Sequence, residues 1–149
     1  MRSFLNVPPE SDFPLQNLPF GVFSPEAGDE PRVGVAIGDW ILDLAEVEAR
    51  GLLDTPEFQP RRVFRAPSLN AFMALGPSAW CAVRQRITHL LRHDTSTLRD
   101  DAVLREAALV PRETATLHLP SVIGDYTDFY ASLAHASNAA HGGPAVFSD

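Results

Sequence analysis

The 149 residues suffice for one ordinary domain, or for a small domain with part of a second. A 45% hydrophobic and 21% charged composition belongs to a folded chain, and a net charge of −7 excludes nucleic acid as the main partner, because phosphate backbones are bound by clustered positive charge. All 12 cationic side chains are arginine, which excludes a lysine Schiff base, a lysine general base and a P-loop lysine; the lone Cys81 excludes an internal disulfide and a CxxC metal site.

Residues 1–31 are rich in proline and aromatic rings. Phe13-Pro14, Leu18-Pro19-Phe20 and Ser24-Pro25 force extended backbone and remove amide donors, so this stretch is expected to lie as an ordered coil pinned by its rings, with a short strand at Gly21–Ser24. Val33–Ile37 and Trp40–Leu44 are β-branched, apolar runs flanking Gly38-Asp39, which predicts a tight hairpin. Ala45–Arg50 reads as a short helix stopped by Gly51, and Asp54–Pro67, with three prolines, as irregular.

Ser68–Gly76 predicts a short helix with Ser68 as N-cap. Pro77 then opens the longest helix, to Arg92, with Trp80, Val83, Ile87 and Leu90 or Leu91 as its core stripe. Cys81 lies in this apolar helical context and reads as a small buried hydrophobe. Thr97–Leu109 reads as one further helix and Thr114–Leu119 as a strand ended by Pro120. From Asp125 to Asn138 the pattern is a turn followed by a helix, with Asp125 or Thr127 as N-cap and Asp128 in the first turn, and the tail from Gly142 loses helical character.

Candidate chemistry concentrates in Ile123–Tyr130 and Ala134–Asn138, which bring together carboxylates, phenols and an imidazole. On a helix continuous from Asp128, His135 falls nearly two turns on, with both side chains on one face roughly 10 Å apart. That places them across one pocket but outside hydrogen-bond reach. Asp128 reads either as a hard-cation ligand or as a helix-dipole partner, and His135 either as a general base or as a histidine packed among alanines. His118 alternates with Leu117 and Leu119 and is expected on the outer face of its strand. His89 and His93 have metal-ligand spacing but no third ligand, so a solvated face is expected, and His141 is expected to be exposed.

Ile123–Tyr130 followed by His135-Ala136-Ser137-Asn138 resembles the start of the catalytic domain of the fumarylacetoacetase family. Ser11–Phe23, Arg32–Asp39, Leu69–Met73, Leu98–Asp101 and Leu117–Pro120 resemble that family's N-terminal part in the same order, so the likeness runs from about Asp12 to Asn138. The resemblance implies an α+β chain: an SH3-like β-barrel N-terminal domain with packed helices over residues 1–117, then the truncated start of a β-rich catalytic domain over 118–149, divergent from about residue 139. It implies cleavage of a carbon–carbon bond in a β-diketo acid, 4-fumarylacetoacetate, giving fumarate and acetoacetate in tyrosine and phenylalanine breakdown. By the resemblance Asp128 is a carboxylate ligand of Ca2+ or Mg2+, His135 the base that activates water, and Tyr130 a substrate contact.

Two departures shape the expectation for this chain. The family carries a substrate-binding arginine shortly after the catalytic histidine, whereas no arginine follows His135 here and Pro144 stands in its place. The other metal carboxylates, the acidic partner of the histidine and the family's lysine belong to a C-terminal part that these residues do not include. The chain alone is therefore expected to be inactive and not to reproduce the family's homodimer. The rival expectation is a non-catalytic docking or regulatory module that pairs with a full-length subunit. A related metal-dependent hydratase or decarboxylase is disfavoured by the long N-terminal likeness. With no apolar run near the ~20 residues of a membrane span and no apolar leader after Met1, no membrane partner and a cytoplasmic setting are expected.

Overall fold

The structure, a computed structural model, describes residues 2–59, 62–125, 127 and 132–142. Five strands, β1 (Phe20–Ser24), β2 (Arg32–Ile37), β3 (Trp40–Asp43), β4 (Leu109–Pro111) and β5 (Thr116–His118), form one antiparallel sheet in the order β4-β3-β2-β1-β5. The sheet curls into a half-barrel, and the architecture is mixed α and β. The hairpin read at Gly38-Asp39 forms as expected, pairing Ile37 with Trp40. Gly38 sits at φ 53, the left-handed value that the first central position of a two-residue hairpin turn requires.

Alternation along the strands gives the sheet two apolar faces. Val22, Val33, Val35, Ile37 and Leu42 join the main core with Val47, Val83, Ile87, Leu90, Leu91, Leu98 and Leu104 from the helices. On the opposite face Phe23 and Ile41 are buried and close over Gly34; a Cβ at Gly34 would stand 2.5 Å from Ile41 Cγ2 and 2.7 Å from Phe23 Cε1. Only glycine allows that approach. Phe20, Phe58, Phe64 and Phe72 form a ring cluster at one end of the core, with centroids 4.9 to 6.4 Å apart.

The helices are α1 (Leu44–Ala49), α2 (Asn70–Met73), α3 (Pro77–Leu91), α4 (Ser96–Arg99), α5 (Ala102–Ala108) and α6 (Leu133–Gly142), with a 3-10 turn at Val63–Arg65. Asp43 caps α1, accepting from the Ala45 and Glu46 amides, and also receives Arg32 Nε at 2.6 Å. Glu48, buried on α1, accepts from the Val63 and Phe64 amides at 3.1 and 3.2 Å and ties the 3-10 turn to the helix. Pro-rich residues 8–19 lie along the sheet as expected: Leu15 and Leu18 are buried, the Gly38 amide donates to Phe13 O and the Ala36 amide to Pro19 O.

Five expectations are corrected. Ser68 does not cap the short helix: α2 starts at Asn70, Leu69 holds the N-cap position and no side chain caps it. Cys81 is exposed, because the buried stripe of α3 is Ala79, Val83, Ile87, Leu90 and Leu91, and residue 81 points away from it. Trp80 lies at the margin of that stripe, 39% exposed, with its indole N–H donating to Phe72 O. The single helix expected over 97–109 is two helices: Asp101 leaves the helix and caps α5 by accepting from the Leu104 amide, and Leu109–Pro111 continues as a strand. The last strand is Thr116–His118, shorter than the 114–119 read from alternation.

Candidate functional site

The chain reaches its candidate site through β5 and the segment after it. His118 leaves the sheet with Nε2 2.9 Å from Ser24 Oγ, and that hydroxyl donates to Asp29 O at 2.8 Å. The serine proton is therefore directed at a carbonyl, and the imidazole N–H is the donor to the hydroxyl. The pair fastens the edge strand to β1 and is not arranged as nucleophile and base. His118 is exposed as expected, but so are Leu117 and Leu119, so the alternation of faces read from this strand is not seen.

Two residues further on, the chain is held again. The Leu69 amide donates to Pro120 O at 2.8 Å. Asn70 then treats Val122 as a strand neighbour would, donating from Nδ2 to Val122 O at 3.1 Å and accepting from the Val122 amide at Oδ1, 2.9 Å. Sequence reading placed Asn70 in a short helix and missed this role. The available signal was its polarity at the first turn of a helix too short to need it. Beyond the clamp Ile123, Gly124 and Asp125 are exposed.

Of the predicted site residues, His135 lies on α6 with an exposed side chain, while Asp128 and Tyr130 fall outside the described residues. The His135 amide donates to Ser132 Oγ at 3.2 Å and the Ala136 amide to Ser132 O at 3.1 Å, so Ser132 caps α6. Asp125 and Thr127 are not the caps of this helix, which starts at Leu133 after a bend at Ser132; the face expected to be shared by Asp128 and His135 rests on residues outside the described ones. The missed signal was a serine three residues before His135. The expected exposure of the His141 side chain likewise lies outside the described residues.

Metal-binding potential is thin among the described residues, where no group of three His, Cys, Asp or Glu side chains could hold an ion. His89 and His93 are both exposed. No helix is long and apolar enough to cross a membrane among the described residues. The perturbed carboxylates lie away from the candidate site. Burial pushes the Asp43 carboxyl above its ordinary value against the pull of Arg32, and the hydrogen bond from Arg92 lowers Asp94 to about 2.

A family model described as "Fumarylacetoacetase N-terminal" matches residues 16–120. Fumarylacetoacetase of Caenorhabditis elegans is 54% identical over 139 residues, covering 93% of this chain and 33% of the relative. The enzyme so named from Rattus norvegicus is 49% identical over 137 residues, 91% of this chain and 32% of the relative, and that from Homo sapiens is 48% identical over the same shares. The chain spans about a third of the length of these curated relatives. A match of 139 residues within 149 leaves no room to omit the stretch from Ile123 to His135, so the likeness includes the candidate site.

Proposed function

This chain belongs to the fumarylacetoacetase N-terminal family, and on that premise we infer that it supplies the N-terminal domain and the first strip of the catalytic domain of a hydrolase that splits 4-fumarylacetoacetate into fumarate and acetoacetate. In this reading residues 1–117 are an SH3-like barrel with its packed helices, residues 118–149 begin the catalytic domain, and the protein works in the cytoplasm on a small β-diketo acid, with neither nucleic acid nor membrane as partner. The observation that carries the reading is the match of 139 residues at 54% overall identity, a span that includes the site segment.

The roles follow from the chemistry of the side chains. His135, an imidazole able to accept a proton at a ring nitrogen, takes a proton from the water that attacks a substrate carbonyl. Tyr130 offers a phenolic hydroxyl to a substrate oxygen. Asp128 offers a hard oxygen donor of the kind Ca2+ and Mg2+ prefer. Ca2+ takes about 6–8 such donors, and the described residues offer no cluster of three. The described residues therefore do not by themselves make the ion's site, and in this reading the metal, like the homodimer, belongs to an assembly with the remaining two thirds of the relatives' length.

A second reading is a non-catalytic module that docks on a full-length subunit. It is favoured by the exposed apolar run Leu117, Leu119, Val122 and Ile123, each more than 70% exposed. The experiment that separates the two is turnover of fumarylacetoacetate by the purified chain in Ca2+ or Mg2+, alone and with a full-length relative. Negligible turnover alone is expected. Turnover by the chain alone that disappears in His135→Ala would overturn the inference of incompleteness. Stable co-elution with the full-length enzyme that leaves its rate unchanged would favour the docking module.

A further inference from the structure

Arginines in this chain are almost all committed. Arg32, Arg50, Arg92 and Arg99 pair with carboxylates, and Arg84, Arg86, Arg105 and Arg112 donate to backbone carbonyls. Among the described residues the exceptions are Arg2, Arg62 and Arg65, in a chain whose 19 carboxylates outnumber its arginines. Two of those three, Arg62 and Arg65, line the same surface cavity of about 430 Å³ together with Ala45, Glu48 and Ala49.

The cavity is built rather than incidental. Ala45 and Ala49 stand one helical turn apart on α1, and their small side chains leave the space between the helix and the turn open. Glu48, between them and only 4% exposed, uses both carboxylate oxygens on the Val63 and Phe64 amides. Those amides would otherwise be the anion donors of the 3-10 turn, so Glu48 acts as its anchor and leaves recognition to the guanidinium groups. Arg62 is held at φ 54, ψ 33, the one non-glycine residue with positive φ among the described residues, a conformation that costs free energy and that surrounding structure must enforce. Arg62 and Arg65 thus flank an opening on a fixed turn, each with a planar fork of donors and no protein acceptor.

We propose that the cavity between α1 and the Val63–Arg65 turn is a binding site for a small doubly charged oxyanion, a phosphate or a dicarboxylate, gripped by Arg62 and Arg65. The site is separate from the segment 123–138 of the β-diketo acid reading, none of whose described residues lines it. It holds whether or not the chain takes part in diketone hydrolysis.

The test titrates the isotopically labelled chain with inorganic phosphate and, separately, with succinate, following the arginine Nε–H resonances by NMR. Saturable shifts at Arg62 and Arg65 with phosphate or succinate are expected, and the anion that saturates first identifies the source. Arg62→Gln and Arg65→Gln should each weaken binding at least fivefold and the double variant should abolish it, while Arg105→Gln, outside the cavity's lining, leaves it unchanged. Both positions are exposed, so folding of the variants is checked by the unchanged amide spectrum of the core. Absence of saturation with both anions at about 20 mM, a Kd too weak for a two-arginine grip, or undiminished binding in the double variant overturns the proposal.

Discussion

Asp43 and Glu48 are carboxylates removed from water, five residues apart, and each is tolerated because its oxygens have donors: Glu48 receives two backbone amides, and Asp43 two backbone amides at Oδ1 and Arg32 Nε at Oδ2. Glu48→Ala leaves the Val63 and Phe64 amides without their acceptor. It is expected to cost about 2–3 kcal/mol in urea denaturation, the range for stranding buried donors. Asp43 answers to pH as well. Burial holds its folded pKa above the ordinary value despite Arg32, so the native state binds that proton more tightly than the unfolded chain does. The contribution of this group is fully present below the unfolded carboxylate range and is lost as pH rises through the raised folded value. Asp43→Asn should lower stability overall by removing the ion pair with Arg32, yet flatten the decline in urea midpoint as pH rises above the unfolded carboxylate range. A variant whose midpoint falls as steeply as the wild type would show that another group sets the slope.

Elements were legible in proportion to how far their own residues determined them. The β2–β3 hairpin announces itself because alternation, β-branching and a glycine at the turn all agree. The α4–α5 break does not, because Asp100-Asp101 reads equally well as a charged helix face; what decides it is Asp101 turning its carboxylate onto the Leu104 amide. Cys81 was misplaced through its apolar neighbours in sequence, although the spacing of Ala79, Val83 and Ile87 already turns residue 81 outward. The Asn70 clamp was invisible because its partner lies 52 residues away. Replacing Asn70 with Ala should raise hydrogen exchange at the Val122 amide about tenfold, the loss of one modest hydrogen bond. Amides of the main core, such as Val35 and Ile87, should be unchanged, and a uniform rise across the core would instead mark global destabilisation.

At the level of the whole molecule, pattern and family spoke to different halves of the problem. The central hairpin of the sheet and the long helix follow from periodicity, whereas β4 does not. The roles of Asp128, Tyr130 and His135 do not, because a carboxylate, a phenol and an imidazole near a helix start serve equally as cap, packing and surface groups; only likeness to a family gives them chemistry. A metal titration examines that assignment directly. The chain is expected to show no saturable heat with Ca2+ or Mg2+ at micromolar concentration in calorimetry, since one aspartate falls far short of the ~6–8 donors Ca2+ requires. Micromolar binding abolished by Asp128→Asn would mean that the chain assembles a complete site of its own.

The order β4-β3-β2-β1-β5 also carries a temporal meaning. Its three central strands are contiguous in sequence between Phe20 and Asp43, while both flanking strands arrive only after Leu109. During synthesis the meander can close early, yet its two borders stay open until most of the helices have been made, and local contacts form well before distant ones. For that interval the growing polypeptide displays Phe23 at an unpaired β1 edge and Ile41 at an unpaired β3 edge. The stretch of translation between Asp43 and Leu109 is thus when the nascent protein is most exposed to aberrant pairing and most in need of a chaperone.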